Sequence, residues 1–186
     1  MKSPGLIDPE AILYHYYDRG SPLAEMLLRH SRQVRDKALA TARRVPHLHP
    51  DTGFIAAAAM LHDIGIYQTA APRIGCRGTL PYVAHGVVGR QLLEQCGLPV
   101  HALVCERHVG AGITRLDIDN QGLPLPHRDM CPVSIEETII CYADKFFSKS
   151  NGGTAHPVEA IVSELARYGP DKAERFMSWH RLFGGV

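Results

Sequence analysis

The sequence predicts an all-α fold, and three observations carry that prediction. Apolar residues recur three and four positions apart in each long apolar segment, which is typical of amphipathic helices. No segment alternates apolar and polar residues with the period of two that indicates a half-buried strand. Serine, proline and glycine lie where the helical pattern stops and starts again, for example at residues 20–22 and 97–99.

The predicted helices can be followed along the chain. An opening helix includes Pro9, and a long amphipathic helix runs from Leu23 to about Val45 with Ser21 as its N-cap. The run FIAAAAMLHDIG predicts a buried helix that ends near its His-Asp pair, because the glycine that follows terminates it. Further helices are expected at about 83–96, at 99–108, from the serine at 134 through the run IICYADKFF, at 156–167 and at 170–180.

The stretch 109–133 is rich in Gly, Pro, Asp and Asn, and it predicts an irregular connection between two of these helices. The chain contains no internal repeat, low-complexity tract or second-domain linker. Its length of 186 residues suits one domain with a continuous apolar core. The expected organisation is therefore a single helical bundle over residues 1–186.

Composition narrows the class of protein. An apolar content of 45% with 21% charged residues is ordinary for a soluble fold, and a net charge of +1 gives no broad positive field for a nucleic acid polymer. The five cysteines form no CxxC pair and are expected to be reduced thiols. The N-terminus lacks the pattern of a signal peptide, and no apolar run approaches the roughly 20 residues that span a bilayer. These observations predict a cytoplasmic protein with no membrane partner.

His62 and Asp63 are the most informative pair. An Ala-rich apolar run leads directly into them, so two strongly polar side chains are expected at the buried end of a core helix. Buried polar groups need partners to offset the loss of hydration, and a metal ion supplies one. Imidazole and carboxylate groups suit Fe, Mn, Zn or Ni. The alternative interpretation is a helix C-terminus that merely carries two polar residues.

The wider pattern carries a resemblance. His30, the sequence HDIG at 62–65 and the sequence YAD at 142–144 resemble the ordered H…HD…D signature of the HD superfamily of metal-dependent phosphohydrolases, and the resemblance covers roughly residues 23–150. It extends to small stand-alone HDIG proteins, which the segments RHVGAGI and CYADKFFSKS are particularly similar to. The resemblance implies an all-α, single-domain bundle of the HD type. It also implies that a first divalent metal is held by His30, His62, Asp63 and Asp144.

His85 and His108 extend the implied ligand set to a second metal. Members of the superfamily with two metals carry additional histidines between the HD pair and the last Asp, where these two lie. The resemblance therefore implies two divalent ions, Fe or Mn in the first place and Zn or Ni as alternatives, with Asp63 bridging them. A metal-bound hydroxide would then attack phosphorus in a nucleotide or another small phosphate ester or anhydride. A lone histidine in a helix is more often a core or surface residue, and that interpretation stays open here.

One position departs from the family pattern. Many relatives carry a lysine after HDIG that can contact a substrate phosphate, whereas this chain has Ile66. Arg107 and Lys145 are the basic side chains expected to act beside Asp63 in catalysis by stabilising charge on the phosphoryl group. The other candidates to replace the missing lysine are Arg73, Arg77 and Lys149.

The expected partner is a small phosphorylated substrate, a nucleotide in the first place, and a homodimer is left open. Candidate residues for stacking on a base are few, namely Tyr67, Tyr82, Phe146 and Phe147. Two alternatives to a hydrolase stay open. The chain could be a metal-containing module that senses a nucleotide or phosphometabolite without turnover, which the Ile66 departure favours, or a diiron oxygenase.

Overall fold

The computed structural model describes residues 7–150 and 153–184, and these residues form a helical bundle. The α-helices of this part of the chain are α1 (Pro9–Tyr16), α2 (Pro22–Ala42), α3 (Thr52–Leu61), α4 (His85–Gln95), α5 (Pro99–Arg107), α6 (Arg115–Gln121), α7 (Ile135–Asp144), α8 (Val158–Ala166) and α9 (Pro170–Leu182). The strands found here, β1 (Ala70–Ala71) and β2 (Cys76–Arg77), have two residues each and pair antiparallel. The predicted all-α class is confirmed.

Local signals place the helix starts. Ser21 caps α2 by accepting a hydrogen bond from the Ala24 nitrogen, and Ser134 caps α7 in the same way. Asp51 caps α3, whose Ala-rich body then ends at the predicted point, one residue before His62. Each cap satisfies a backbone N–H group that has no partner within its helix. The caps therefore explain where these three helices begin.

Two boundaries differ from the sequence-based expectation. Helix α2 ends at Ala42 rather than near Val45. The stretch 109–133 was predicted to be irregular, which is wrong for residues 115–121, since they form α6. Thr114 and Asp117 make a reciprocal capping box at its start. A mostly polar helix of seven residues is too short to show apolar periodicity, so the pattern did not reveal it.

Helix α3 lies at the centre of the bundle, packed against α1, α2, α5 and α7. Its alanines, among them Ala58 and Ala59, are buried and allow neighbouring helices to come close. One apolar cluster joins the second half of α2 to α3, α7, α8 and α9, and a second joins α1 and the first half of α2 to α4 and α5. His30 lies in α2 between the residues that serve these two clusters. Along α2, His30 therefore has residues of the apolar core on both sides.

All five cysteines are unpaired, and Cys76, Cys105 and Cys141 are buried. None of the helices in the described ranges is both long enough and apolar enough to cross a membrane.

Candidate metal centre

Helices α2, α3 and α7 bring a first group of polar side chains together. His30 projects from α2, His62 and Asp63 directly follow α3, and Asp144 is the last residue of α7. The His30 Nε2 atom lies 3.1 Å from Asp63 Oδ2 and 3.0 Å from Asp144 Oδ1. The His62 Nε2 atom lies 3.1 Å and 3.4 Å from the same two oxygens. All four side chains are buried, and together they could hold a metal ion.

The helical pair α4 and α5 adds a second group on the other side of Asp63. His85 is the first residue of α4, and His108 immediately follows α5. Their Nε2 atoms both lie 3.4 Å from Asp63 Oδ1. The two oxygens of one carboxylate therefore face different sets of imidazoles, with Oδ2 toward the first group and Oδ1 toward His85 and His108.

Backbone carbonyls fix the orientation of three of the imidazoles. The Nδ1 atoms of His62, His85 and His108 lie 2.7, 2.6 and 2.8 Å from the carbonyl oxygens of the residues three positions earlier, Ala59, Tyr82 and Cys105. A carbonyl can only accept, so each Nδ1 carries the hydrogen and each neutral ring presents the lone pair of Nε2 to the centre. Carbonyl partners of this kind orient metal-binding histidines.

The same tautomers leave His85 and His108 in conflict unless a cation lies between them. Their Nε2 atoms are 3.2 Å apart, and in the neutral rings both would present lone pairs to each other. A proton or a metal ion removes that repulsion. Because Asp63 Oδ1 is the third atom of this group, the donor set is two imidazole nitrogens and one carboxylate oxygen, which suits a first-row transition metal.

Buried polar atoms without hydrogen-bond partners also fit a bound cation. His62 Nε2 and Asp63 Oδ1 are buried without a hydrogen-bond partner among the described residues, whereas Asp63 Oδ2 has the ion pair with Lys149. Ligand atoms about 2.1 Å from one ion lie about 3.0 to 3.4 Å apart, depending on whether the ion is octahedral or tetrahedral. The distances of 3.0 to 3.4 Å within the first group match that spacing. The residues present therefore fit a bound metal.

The electrostatics of the first group favour positive charge. Burial lowers the pKa of His62, but the carboxylates of Asp63 and Asp144 outweigh burial and raise that pKa to about 9. Burial raises the pKa of Asp63, yet Lys149 and His62 hold it well below its ordinary value. Burial also raises the pKa of Asp144, but Lys145 and the hydrogen bonds with His30 and His62 together hold it well below its ordinary value.

In the second group, burial has a larger effect on the histidine pKa values than the nearby carboxylate has. Burial is the main influence on His85 and lowers its pKa to about 3, and burial also lowers the pKa of His108. The single carboxylate oxygen that these rings share does not compensate for lost hydration. Both imidazoles are therefore favoured in the neutral form that binds a metal.

Glycines allow α4 to approach the centre. A Cβ atom at Gly65 would overlap the backbone oxygen of His85 and would come within 2.5 Å of the Gly89 nitrogen. At Gly86 it would come within 2.5 Å of the Cys105 oxygen. The glycine of HDIG thus has a steric role, since it lets the start of α4 pack directly against the segment that carries Asp63.

The three basic residues that could act at the centre have different partners. Lys149 Nζ lies 2.7 Å from Asp63 Oδ2, and Lys145 Nζ lies 2.8 Å from Asp144 Oδ2. Arg107 instead pairs with Glu137, whose two carboxylate oxygens lie 2.8 and 3.1 Å from its Nη1 atom. The catalytic role expected of Arg107 stays a prediction, and its pairing favours the two lysines over it.

The other residues considered for contact with a substrate phosphate lie in different environments. Arg73 and Arg77 are exposed, and Ile66 is completely buried in the apolar cluster of α1, α4 and α5. His101, a histidine outside the HD signature, is buried against Phe54.

Sequence reasoning overlooked the carbonyl groups of Tyr82 and Cys105. The spacing of three residues before each histidine is the signal that could have revealed them.

The family of this chain follows from its match to known proteins. The HD domain family matches residues 27–148, which include all six residues of the centre. The chain belongs to the HD domain family. The relationship expected from the sequence is therefore confirmed, and the two groups around Asp63 lie within the matched residues.

This chain is similar to parts of two methyltransferases and to an uncharacterised protein. A tRNA (cytidine(56)-2'-O)-methyltransferase of Thermoplasma volcanium is 28% identical over 96% of this chain and 47% of that protein. A protein of the same name from Picrophilus torridus is 31% identical over 67% of this chain and 32% of that protein. An uncharacterised protein of Methanocaldococcus jannaschii is 33% identical over 65% of this chain and 66% of that protein. The chain thus spans less than half the length of the two methyltransferases.

Solved HD domains share the fold. The HD domain of the L. monocytogenes phosphodiesterase PgpH matches with a TM-score of 0.54 and 15% identity, over 95% of this chain and 86% of that one. The structure of the same domain in complex with cyclic-di-AMP matches with a TM-score of 0.54 and 13% identity, over 96% and 84% of the two chains. At this low sequence identity, the comparison with these two structures shows a similar fold and nothing further.

Proposed function

We propose that this HD domain is a two-metal phosphohydrolase that acts on a nucleotide or another small phosphate ester or anhydride. The observation that carries the proposal is the position of Asp63, whose two oxygens face two separate sets of imidazole nitrogens. His30, His62 and Asp144 would complete the first metal site, and His85 and His108 would complete the second. This donor set suits Fe or Mn, with Zn or Ni as alternatives.

The chain's own residues prepare the centre for such chemistry. Two bound ions would supply charge neutralisation at phosphorus and a water of lowered pKa. The carbonyls of Ala59, Tyr82 and Cys105 hold three imidazoles in the ligand tautomer, so that no ring has to turn before a metal binds. Lys145 holds Asp144 through the oxygen Oδ2, which leaves Oδ1 directed at His30 and His62.

A small substrate is the best-supported class. The centre is enclosed by buried side chains, and a net charge of +1 provides no broad surface for a polymer of phosphates. The likeness in fold to a phosphodiesterase domain that binds cyclic-di-AMP supports a nucleotide. Two relatives are named tRNA methyltransferases, which makes tRNA a second substrate to test rather than the preferred one.

The proposal is tested by metal analysis of anaerobically purified protein, combined with a phosphate-release screen. The screen should include mono- and dinucleotides, cyclic dinucleotides, dinucleoside polyphosphates and tRNA. We expect two ions per chain and turnover of at least one small nucleotide. Turnover should be lost in Asp63→Asn and retained in Asp119→Asn, a control that removes a carboxylate half-exposed to solvent and paired with His127.

Other outcomes would support the alternatives. Nucleotide binding without turnover by the fully loaded protein would contradict the hydrolase and favour a sensing module. Consumption of oxygen by the iron-loaded protein, with cleavage of a carbon bond in its substrate, would favour a diiron oxygenase.

A further inference from the structure

Lys149 has an unusual position for a lysine. It follows Asp144 by five residues, its side chain is only 12% exposed, and its Nζ atom lies 2.7 Å from Asp63 Oδ2. A buried ammonium group is stable only when an anion compensates for its lost hydration. Asp63 provides that anion here, so the conformation of Lys149 depends on the carboxylate at the middle of the metal centre.

That pairing conflicts with the proposed function. Asp63 Oδ2 is the oxygen that faces His30 and His62, and two divalent ions sharing Asp63 would repel an ammonium group at hydrogen-bond distance from it. Lysine has a flexible four-carbon stem and can move to a nearby anion. When both ions are bound, Lys149 therefore needs a new negative partner close to the centre.

Lys145 does not share this conflict. It contacts Asp144 Oδ2, whereas the imidazoles of His30 and His62 lie near Asp144 Oδ1. Its pairing can persist with metal bound, which makes Lys145 a positioning residue. Arg107 is held by both oxygens of Glu137 and has no need of another anion.

The surroundings of Lys149 also mark the open side of the centre. Its Nζ atom lies 5.9 Å from the centre of the Tyr82 ring, and Tyr82 is 37% exposed. The same ring lies against His85, with ring centres 4.7 Å apart. By comparison, the four histidines around Asp63 and the carboxylate of Asp144 are almost fully buried. An anion from solvent would thus reach the centre beside Tyr82 and Lys149.

We propose that Lys149 binds a non-bridging oxygen of the substrate's phosphoryl group, exchanging Asp63 for the phosphoryl group once the metals are bound. The assignment rests on the proposed function, because it takes the substrate to be a phosphate compound held at the two-metal centre. Lys149 would thereby supply a positive charge that Ile66, buried in the apolar core, does not.

The test uses inorganic phosphate and manganese with the full chain. Calorimetry would measure the affinity for manganese in metal-free protein and then the affinity of the manganese-loaded protein for phosphate. Lys149→Gln removes the charge, Lys149→Arg retains it, and Lys37→Gln removes a lysine charge that lies over the Phe146 ring instead. If a variant loses only its contact with phosphate, its manganese affinity does not fall. If the metal centre itself is disturbed, the manganese affinity falls as well.

We expect Lys149→Gln to weaken phosphate binding about 10- to 100-fold, the effect of losing one hydrogen bond to a charged group. Manganese should bind at least as tightly as in the wild type, because a competing cation has been removed. Lys149→Arg should recover part of the phosphate affinity, and Lys37→Gln should behave as the wild type.

Unchanged phosphate affinity in Lys149→Gln would overturn the assignment, and so would a parallel loss of manganese and phosphate binding. Phosphate binding does not require turnover. A protein that binds phosphate through Lys149 but hydrolyses nothing would support this assignment while contradicting the proposed function.

Discussion

Two buried carboxylates of this HD domain have opposite surroundings. Glu106 on α5 is almost fully buried and accepts hydrogen bonds from the guanidinium groups of Arg90 and Arg128. Asp63 is fully buried as well, yet its Oδ1 atom has no hydrogen-bond partner among the described residues, and its Oδ2 atom pairs with Lys149. Imidazole nitrogens lie within 3.4 Å of both Asp63 oxygens.

The difference separates a structural charge from a functional one. Glu106 is compensated by cations that belong to the chain, so nothing further has to bind. Asp63 pairs with Lys149 through Oδ2 alone, while its Oδ1 atom faces the Nε2 atoms of His85 and His108. Because Oδ1 faces two neutral imidazoles rather than a guanidinium or ammonium group, Asp63 can accept an added cation where Glu106 cannot.

The largest effect is expected from Asp63→Asn. The substitution removes the charge that both ions would share, so each site should lose affinity by about 100-fold or more, beyond the range seen when only a supporting contact is lost. Titration of metal-free protein with manganese provides the measurement. Retention of one ion at wild-type affinity would show that Asp63 does not bridge two sites.

The matching substitution at the other carboxylate is Glu106→Gln. Loss of the charge weakens hydrogen bonds from two guanidinium groups and should lower the free energy of unfolding by about 1.5 to 3 kcal/mol. Both ions should still bind, because Glu106 is satisfied away from the centre. Chemical denaturation and metal analysis of one preparation check both parts, and loss of either ion would contradict the contrast.

Gly65→Ala tests how α4 is positioned. The added methyl group would overlap the backbone of His85 and Gly89, which should cost about 1 to 3 kcal/mol and displace His85 from the second site. Thermal denaturation and manganese titration would show the two effects. Gly53→Ala is the control, since its new Cβ would meet only Asp51 Oδ1 at 3.3 Å. Wild-type stability and two tight ions in Gly65→Ala would refute this steric role.

The smallest effect concerns a charge pair between α6 and α9, formed by Asp117 and Lys172. Burial raises the pKa of Asp117, but hydrogen bonds from Lys172 and Thr114 outweigh burial and place that pKa below its ordinary value. A depressed carboxyl pKa stabilises the fold above the unfolded value of about 3.9. This contribution is lost as the pH falls through the lower, folded-state value.

Losing the pair should cost about 1 kcal/mol, because Asp117 is partly exposed and Asp171 stays as a partner of the buried Lys172 ammonium group. Wild type should therefore be slightly more stable than Asp117→Asn at pH 7, with the difference disappearing in acid. Urea denaturation across this pH range measures it. A difference that grows on acidification would contradict the depressed pKa.

The sequence predicted much of the fold because its signals are local. Ser21, Asp51 and Ser134 mark helix starts within four residues of themselves, and Gly65 lies just beyond the end of α3. The six residues at the centre were also expected together, but through resemblance to a family. Periodicity places His30 on an inward face without showing which distant residues will meet it.

The remaining features depend on contacts that no local pattern encodes. Arg107 and Lys149 were comparable candidates in the sequence, and only packing pairs the first with Glu137 and the second with Asp63. His101 follows Val100 in a short helix, and its burial against Phe54 depends on how α3 and α5 meet. The one-domain organisation of residues 1–186 stays a prediction.

The number of metal ions tests the central claim most directly. Manganese titration should compare metal-free wild type with the variant that carries both His85→Ala and His108→Ala. Two ions should bind to the wild type and one to the variant, with little change in affinity at the site that His30, His62 and Asp144 retain. A wild type that binds a single ion, with the same affinity after both histidines are lost, would contradict the two-metal centre.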